Sequence, residues 1–259
     1  MSSQIVERMA VEVQGTGDPV IMVHGLGGTS NTFEPQIEVY RSHRVIRPDL
    51  PGAGRSRTPE GGISIEGFAA ALARLARVLG AERAHFVGHS LGTIVLQHLA
   101  LMEPRLVRSL ALLGPLAEPP EAARSALKDR AVKARAEGMS EIAEAIKTGS
   151  VAAAAREEVP AAAAFVRESL MRQCPEGYAK TCEALAEVKA ADAGRIDCPA
   201  LLITGEDDPV APPQATRALA ERIKGAQVVV LPRCGHWSGI ERPREVNRAL
   251  KDFYASRAR

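Results

Sequence analysis

Short runs of β-branched and aliphatic residues recur along the chain, at Val20 to Val23, Arg44 to Ile46, Ala84 to Val87, Ser109 to Leu113, Ala200 to Thr204 and Gln227 to Leu231. Each is followed by a turn. A run that is apolar throughout, rather than alternately apolar and polar, is what a strand covered on both faces requires. Between such runs lie longer segments of helical period. From Ser64 to Leu79 the apolar residues Ile65, Phe68, Ala69, Leu72, Leu75, Ala76 and Leu79 recur at steps of three and four, and Gly80 ends the segment. A second helix is predicted from just after Ser90 through Ile94, Val95, Leu99 and Met102, with Pro104 as its stop. Strand alternating with helix predicts an α/β architecture, a mainly parallel sheet with helices on both faces.

The alternation breaks between Pro115 and about Asp192. This span is rich in alanine, glutamate, lysine and arginine, has no strand-like run, and is cut by Pro119, Pro120, Gly138, Gly149, Pro160, Pro175 and Gly177 into several short helices. The pattern predicts a core made of residues 1–114 and 193–259, with a helical cap inserted at 115–192. Long insertions in compact domains are often active-site lids.

Composition narrows the partners. Lysine and arginine total 33 against 31 acidic residues, so charge offers no case for nucleic acid or an anionic membrane surface. No stretch approaches the ~18 apolar residues of a membrane span, and Glu7 and Arg8 interrupt the start where a secretory signal would need its apolar core. The expectation is a soluble, cytoplasmic enzyme acting on a small molecule. Cys174, Cys182, Cys198 and Cys234 are scattered without metal-ligand spacing, so reduced thiols are expected and no metal or cofactor is implied.

Gly88-His89-Ser90-Leu91-Gly92 fits G-x-S-x-G. Chance alone gives that pattern in roughly one chain in ten of this length. The context raises its weight, because a strand-like run leads in and a helical pattern leads out, as a nucleophile elbow demands. Ser90 is therefore the candidate nucleophile. A tetrahedral intermediate needs backbone donors; Leu91, following the serine, and Leu26, in His24-Gly25-Leu26-Gly27-Gly28 after the first run, are the candidate oxyanion donors.

Serine needs a base to accept its proton. Of six histidines, His236 lies in Arg233-Cys234-Gly235-His236-Trp237 after the last run, late in the chain. His89 sits beside the serine but faces the wrong way by alternation, and His24, His43, His85 and His98 read as structural or exposed. The acid that orients the base should follow another strand, and Gly205-Glu206-Asp207-Asp208-Pro209 supplies it. Asp208 is preferred, with Asp207 and then Glu118 as alternatives. Phe33 and Trp237 are candidate pocket residues, and Arg124, Arg135, Arg167 and Arg172 are candidate partners for a substrate carboxylate, unless they are solvated helix-face charges.

With these residues in place the chain resembles the α/β-hydrolase superfamily from about Val20 to Phe253. Asp49-Leu50-Pro51-Gly52-Ala53-Gly54-Arg55-Ser56 is similar to the family's loop after its fourth strand, Gly205 to Asp208 to its acid turn, and Gly235-His236 with Glu241-Arg242-Pro243 to its histidine loop. Pro175-Glu176-Gly177-Tyr178-Ala179 with Cys182, then Ala191-Asp192, is similar to the cap exit of bacterial 3-oxoadipate enol-lactonases. The superfamily resemblance implies a serine hydrolase of esters or lactones, and the likeness to enol-lactonases implies a small carboxylate-bearing lactone such as a 3-oxoadipate enol-lactone as substrate. The rivals are a carbon-carbon bond hydrolase of ring-cleavage products and a non-turnover ligand receptor built on the same fold.

Overall fold

A computed structural model of the chain describes residues 2–255. It opens with two strands, β1 (Ser2–Val6) and β2 (Met9–Gln14), followed by β3 (Pro19–Val23), a 3-10 segment Ser30–Tyr40 and β4 (Arg44–Pro48). Next come α1 (Ile65–Val78), β5 (Ala84–His89), α2 (Leu91–Met102) and β6 (Val107–Leu113). Five helices then run without a strand: α3 (Glu121–Glu137), α4 (Ser140–Ser150), α5 (Ala153–Glu158), α6 (Pro160–Met171) and α7 (Pro175–Glu187). The chain finishes with β7 (Ala200–Gly205), α8 (Pro213–Arg222), β8 (Gln227–Leu231), α9 (Ser238–Glu241) and α10 (Pro243–Ala255).

The strands form one sheet in the order β1-β2-β4-β3-β5-β6-β7-β8. From β4 to β8 all neighbours are parallel, and β1 and β2 join antiparallel at one edge. Strand alternation sorts the apolar residues into two layers. Ile21, Val23, Phe86, Leu110 and Leu112 face α1 and α2. Val20, Met22, Val87, Ala111 and Leu201 face the 3-10 segment and α10, through Phe33, Tyr40, Val246, Leu250 and Phe253. The six apolar runs are thus the six parallel strands, covered on both sides.

Helix α1 shows why the periodic segment folds as it does. The Ser64 hydroxyl accepts the Gly67 N–H as its N-cap, and Phe68, Ala69, Leu72, Leu75 and Ala76 form a continuous buried stripe. Each large buried side chain in that stripe stabilises the fold by roughly 2–3 kcal/mol.

The first hairpin was not expected from the pattern. Val6 pairs with Met9, so Glu7 and Arg8 make a two-residue turn with φ of 49° and 66°. Such turns usually advertise themselves through asparagine or glycine, and here two ordinary charged residues adopt the left-handed conformation instead. Among the described residues no helix is long and apolar enough to cross a membrane, and the four cysteines are free.

In a parallel sheet the loops leaving the carboxyl ends of the strands gather along one edge. The loops after β3, β5, β7 and β8 carry Leu26, Ser90, Asp208 and His236 to that edge.

Candidate active site

Ser90 sits between β5 and α2 with φ 52° and ψ −119°, a conformation that costs free energy for a residue with a side chain. The surroundings hold it there. Its N–H donates to the Leu113 carbonyl at 2.9 Å, and the first turn of α2 lies so close to β3 that a Cβ on Gly92 would stand 2.2 Å from the Val23 carbonyl oxygen. Only glycine fits at that position.

The Ser90 hydroxyl lies 2.8 Å from His236 Nε2. On the other side of the ring, Nδ1 is 3.0 and 2.9 Å from the two Asp208 carboxylate oxygens. The ionised carboxylate can only accept, so the ring proton resides on Nδ1 and Nε2 is left to accept from serine. Asp208 Oδ1 also accepts the N–H groups of Val210 and Ala211, both at 2.8 Å. Burial works to raise the Asp208 pKa, yet the nearby His236 and these donors outweigh it and hold the carboxyl below its usual value. Of the two alternatives to Asp208, Asp207 is exposed, while Glu118 pairs with Arg124 and accepts the Ala190 N–H.

Leu91 opens α2 directly after the serine, Leu26 lies on the loop after β3, and neither amide meets an acceptor among the described residues. The Leu26 loop is braced by His24, whose Nδ1–H donates to the Gly25 carbonyl at 2.8 Å and whose Nε2 accepts the Leu50 N–H at 2.9 Å. Burial lowers the His24 pKa and keeps the ring neutral, as this pairing requires. Asp49 completes the brace by accepting the N–H groups of Ser30 and Arg55. His89 is likewise a neutral scaffold. Burial, reinforced by the neighbouring His236, pushes it down to about 3, and its Nε2–H donates to the His236 carbonyl at 2.9 Å.

Glu241 is a site residue that the histidine motif contains but whose role only the fold reveals. Its buried carboxylate accepts the N–H groups of Gly235 at 2.8 Å, Trp237 at 2.9 Å and Ala152 at 3.0 Å. It thereby clamps the loop on both sides of His236 and ties that loop to the helical insertion. Burial nonetheless pushes its pKa up. The His236 N–H donates to the Ser150 carbonyl at 2.8 Å and Trp237 Nε1–H to the Ser150 hydroxyl at 3.1 Å, so the end of α4 belongs to the same assembly.

Above Ser90 and His236 opens a cavity of about 690 Å³, walled by Leu26, Leu116, Leu127, Ile142, Ile146 and Trp237 among others. Trp237 is where the sequence placed it. Phe33 is not: it is buried in the layer beneath the sheet and lines a separate void of about 10 Å³.

The four arginines also lie away from the cavity, each committed elsewhere. Arg124 donates to the carbonyls of Ala186 and Val188 at the end of α7, where a cation meets unsatisfied acceptors. Arg135 pairs with Glu176 and Glu183, Arg167 with Glu144, and Arg172 with Glu168. The basic residues that do line the cavity are Arg130 and Lys133. A sequence signal for Arg130 exists, because it stands three residues after Leu127 and four before Ala134, both buried on the inward face of α3.

Residues 18–243 match the family model for the alpha/beta hydrolase fold. The chain is 28% identical to the (E)-2-((N-methylformamido)methylene)succinate hydrolase of Acinetobacter baylyi, over 92% of this chain and 90% of that protein. Among known structures, a thermophilic esterase from Thermogutta terrifontis with malate bound superposes with a TM-score of 0.91 at 29% identity, covering 96% of this chain and 93% of the other. An enol-lactonase from Burkholderia xenovorans superposes with a TM-score of 0.90 at 30% identity, covering 98% of this chain and all of the other.

Proposed function

Since this chain belongs to the α/β-hydrolase fold family, we propose that it hydrolyses carboxylic esters or lactones through an acyl-enzyme on Ser90. The observation that carries this reading is the continuous chain of contacts from the Ser90 hydroxyl through His236 to Asp208, with steps of 2.8 and 2.9 Å. In the reaction, His236 Nε2 takes the serine proton as the hydroxyl oxygen attacks the carbonyl carbon. The Leu26 and Leu91 N–H groups receive the developing oxyanion. The imidazolium, stabilised by Asp208, then protonates the leaving alcohol, and the neutral ring activates water to release the acid. The helical insertion is the cap that roofs the cavity.

The esterase and enol-lactonase neighbours support an oxygen-ester substrate, and a similar protein is named as the hydrolase of a substituted succinate. The comparison that tests the reading sets 4-nitrophenyl butyrate and δ-valerolactone against a 2-hydroxy-6-oxo-dienoate. Steady turnover of the ester or the lactone, at least tenfold faster in kcat/KM than loss of the dienoate absorbance, is expected. The reverse order would assign carbon-carbon cleavage, and no turnover of any of the three would contradict a hydrolytic role.

A further inference from the structure

The Ser90 carbonyl is held twice from the first turn of α2, accepting the Thr93 N–H at 2.8 Å and the Thr93 hydroxyl at 2.7 Å. A helical threonine hydroxyl often bonds a carbonyl three or four residues back. Here that carbonyl belongs to the nucleophile, and the hydroxyl is itself fixed from the other side, because Thr93 Oγ1 accepts the Leu116 N–H at 3.1 Å. A hydroxyl carries one proton, so with the Leu116 donor aimed at its oxygen that proton goes to Ser90. Gln97 closes the arrangement, its Nε2 donating to the Leu116 carbonyl at 2.7 Å and to the Thr93 carbonyl at 3.0 Å. Thr93 and Gln97 are both buried and lie outside the cavity wall.

A trans peptide unit is planar, so its C=O and N–H point in opposite directions. The Ser90 carbonyl and the Leu91 N–H belong to one such unit. A grip that turns the oxygen into the first turn of α2 therefore turns the Leu91 N–H outward past the helix start, where free amides face a developing anion. The grip is needed because Ser90, at φ 52° and ψ −119°, has a backbone that persists only where its surroundings over-determine it. Resting on the serine-hydrolase reading and its use of Leu91 as an oxyanion donor, we propose that Thr93 is a positioning residue of the oxyanion site. Its hydroxyl holds the Ser90-Leu91 peptide at the angle that brings the Leu91 N–H to the oxyanion. Leu116, a cavity-wall residue at the entry to the helical insertion, is anchored to that same hydroxyl, so the insertion and the oxyanion donor share one support.

Thr93→Val removes the hydroxyl at nearly constant volume, and Thr93→Ser keeps it. A donor that is misaimed costs part of what a missing one costs, so Thr93→Val is expected to lower kcat on 4-nitrophenyl butyrate by about 10- to 100-fold, with KM within about threefold of wild type. Thr93→Ser should recover kcat to within about threefold. An alkyl trifluoromethyl ketone, whose adduct with the serine carries an oxyanion, should lose affinity for Thr93→Val by about the factor lost in kcat. Thr93→Ala, which sets no methyl against the Ser90 carbonyl, carries the same comparison and the same expected loss if the valine protein does not fold. A kcat for Thr93→Val within about twofold of wild type, equal losses in the valine and serine proteins, or a lowered kcat with unchanged ketone affinity would each overturn the proposal. Failure is distinguishable from failure of the reading beneath it: a wild-type protein that the ketone does not inhibit, together with a fully active Ser90→Ala protein, would remove the serine-hydrolase reading and the role of Thr93 with it.

Discussion

Ser90→Ala is expected to lower kcat on 4-nitrophenyl butyrate by roughly 10⁴- to 10⁶-fold while the melting midpoint moves by less than about 4 °C. The two readouts separate because, in the proposed mechanism, the hydroxyl contributes almost everything to bond formation and little to folding. Alanine keeps the backbone at φ 52° and keeps the Leu113 contact to the residue 90 N–H, so the elbow survives. What disappears is the oxygen 2.8 Å from His236 Nε2. The Leu26 and Leu91 amides would remain, and as the proposed oxyanion donors they would account for whatever slow turnover persists. Activity within tenfold of wild type would show that the attacking oxygen comes from elsewhere.

Asp208→Asn should cost about 10³- to 10⁴-fold in kcat, although the substitution is nearly isosteric. The hydrogen-bond pattern dictates how. The N–H groups of Val210 and Ala211 both point at Oδ1, so an asparagine keeps its carbonyl oxygen there and turns its NH2 toward the imidazole. That donor fits only an unprotonated Nδ1, which moves the ring proton to Nε2 and removes the acceptor that serine needs. The depressed Asp208 pKa fixes the pH range of the effect. The carboxylate charge is present above the ordinary aspartate value and is lost only as pH falls below it, so the gap between wild type and Asp208→Asn should persist across the neutral range. Asp207→Asn, altering an exposed carboxylate, is expected to change kcat by less than threefold.

The parts of the fold that could be read from the chain were those where a local pattern answers to one cause. Runs such as Val20 to Val23 are apolar on both alternating faces because helices cover the sheet on both sides. The α1 stripe announces its own cap and end. The elbow was legible because Gly92 answers to a steric demand, the nearby Val23 carbonyl. The β1-β2 hairpin was not legible, since Glu7 and Arg8 take up a turn conformation that their side chains do not favour and tertiary pairing sustains.

The four arginines were not legible for a different reason. A helix-face arginine reads the same whether it meets a glutamate, a helix end or a cavity, and only the fold places Glu183 beside Arg135 or the Val188 carbonyl beside Arg124. Glu241 was visible as part of a motif, but its three backbone donors come from segments as distant as Ala152 and so could not be inferred from spacing.

The most direct check of the serine's activation is its reaction with an alkyl fluorophosphonate, followed by intact-mass measurement and peptide mapping. One adduct per chain, carried by Ser90 and absent from Ser90→Ala, is the expected result, with labelling slowed at least a hundredfold in His236→Ala. An unlabelled wild-type chain, or a label on another residue, would contradict the account.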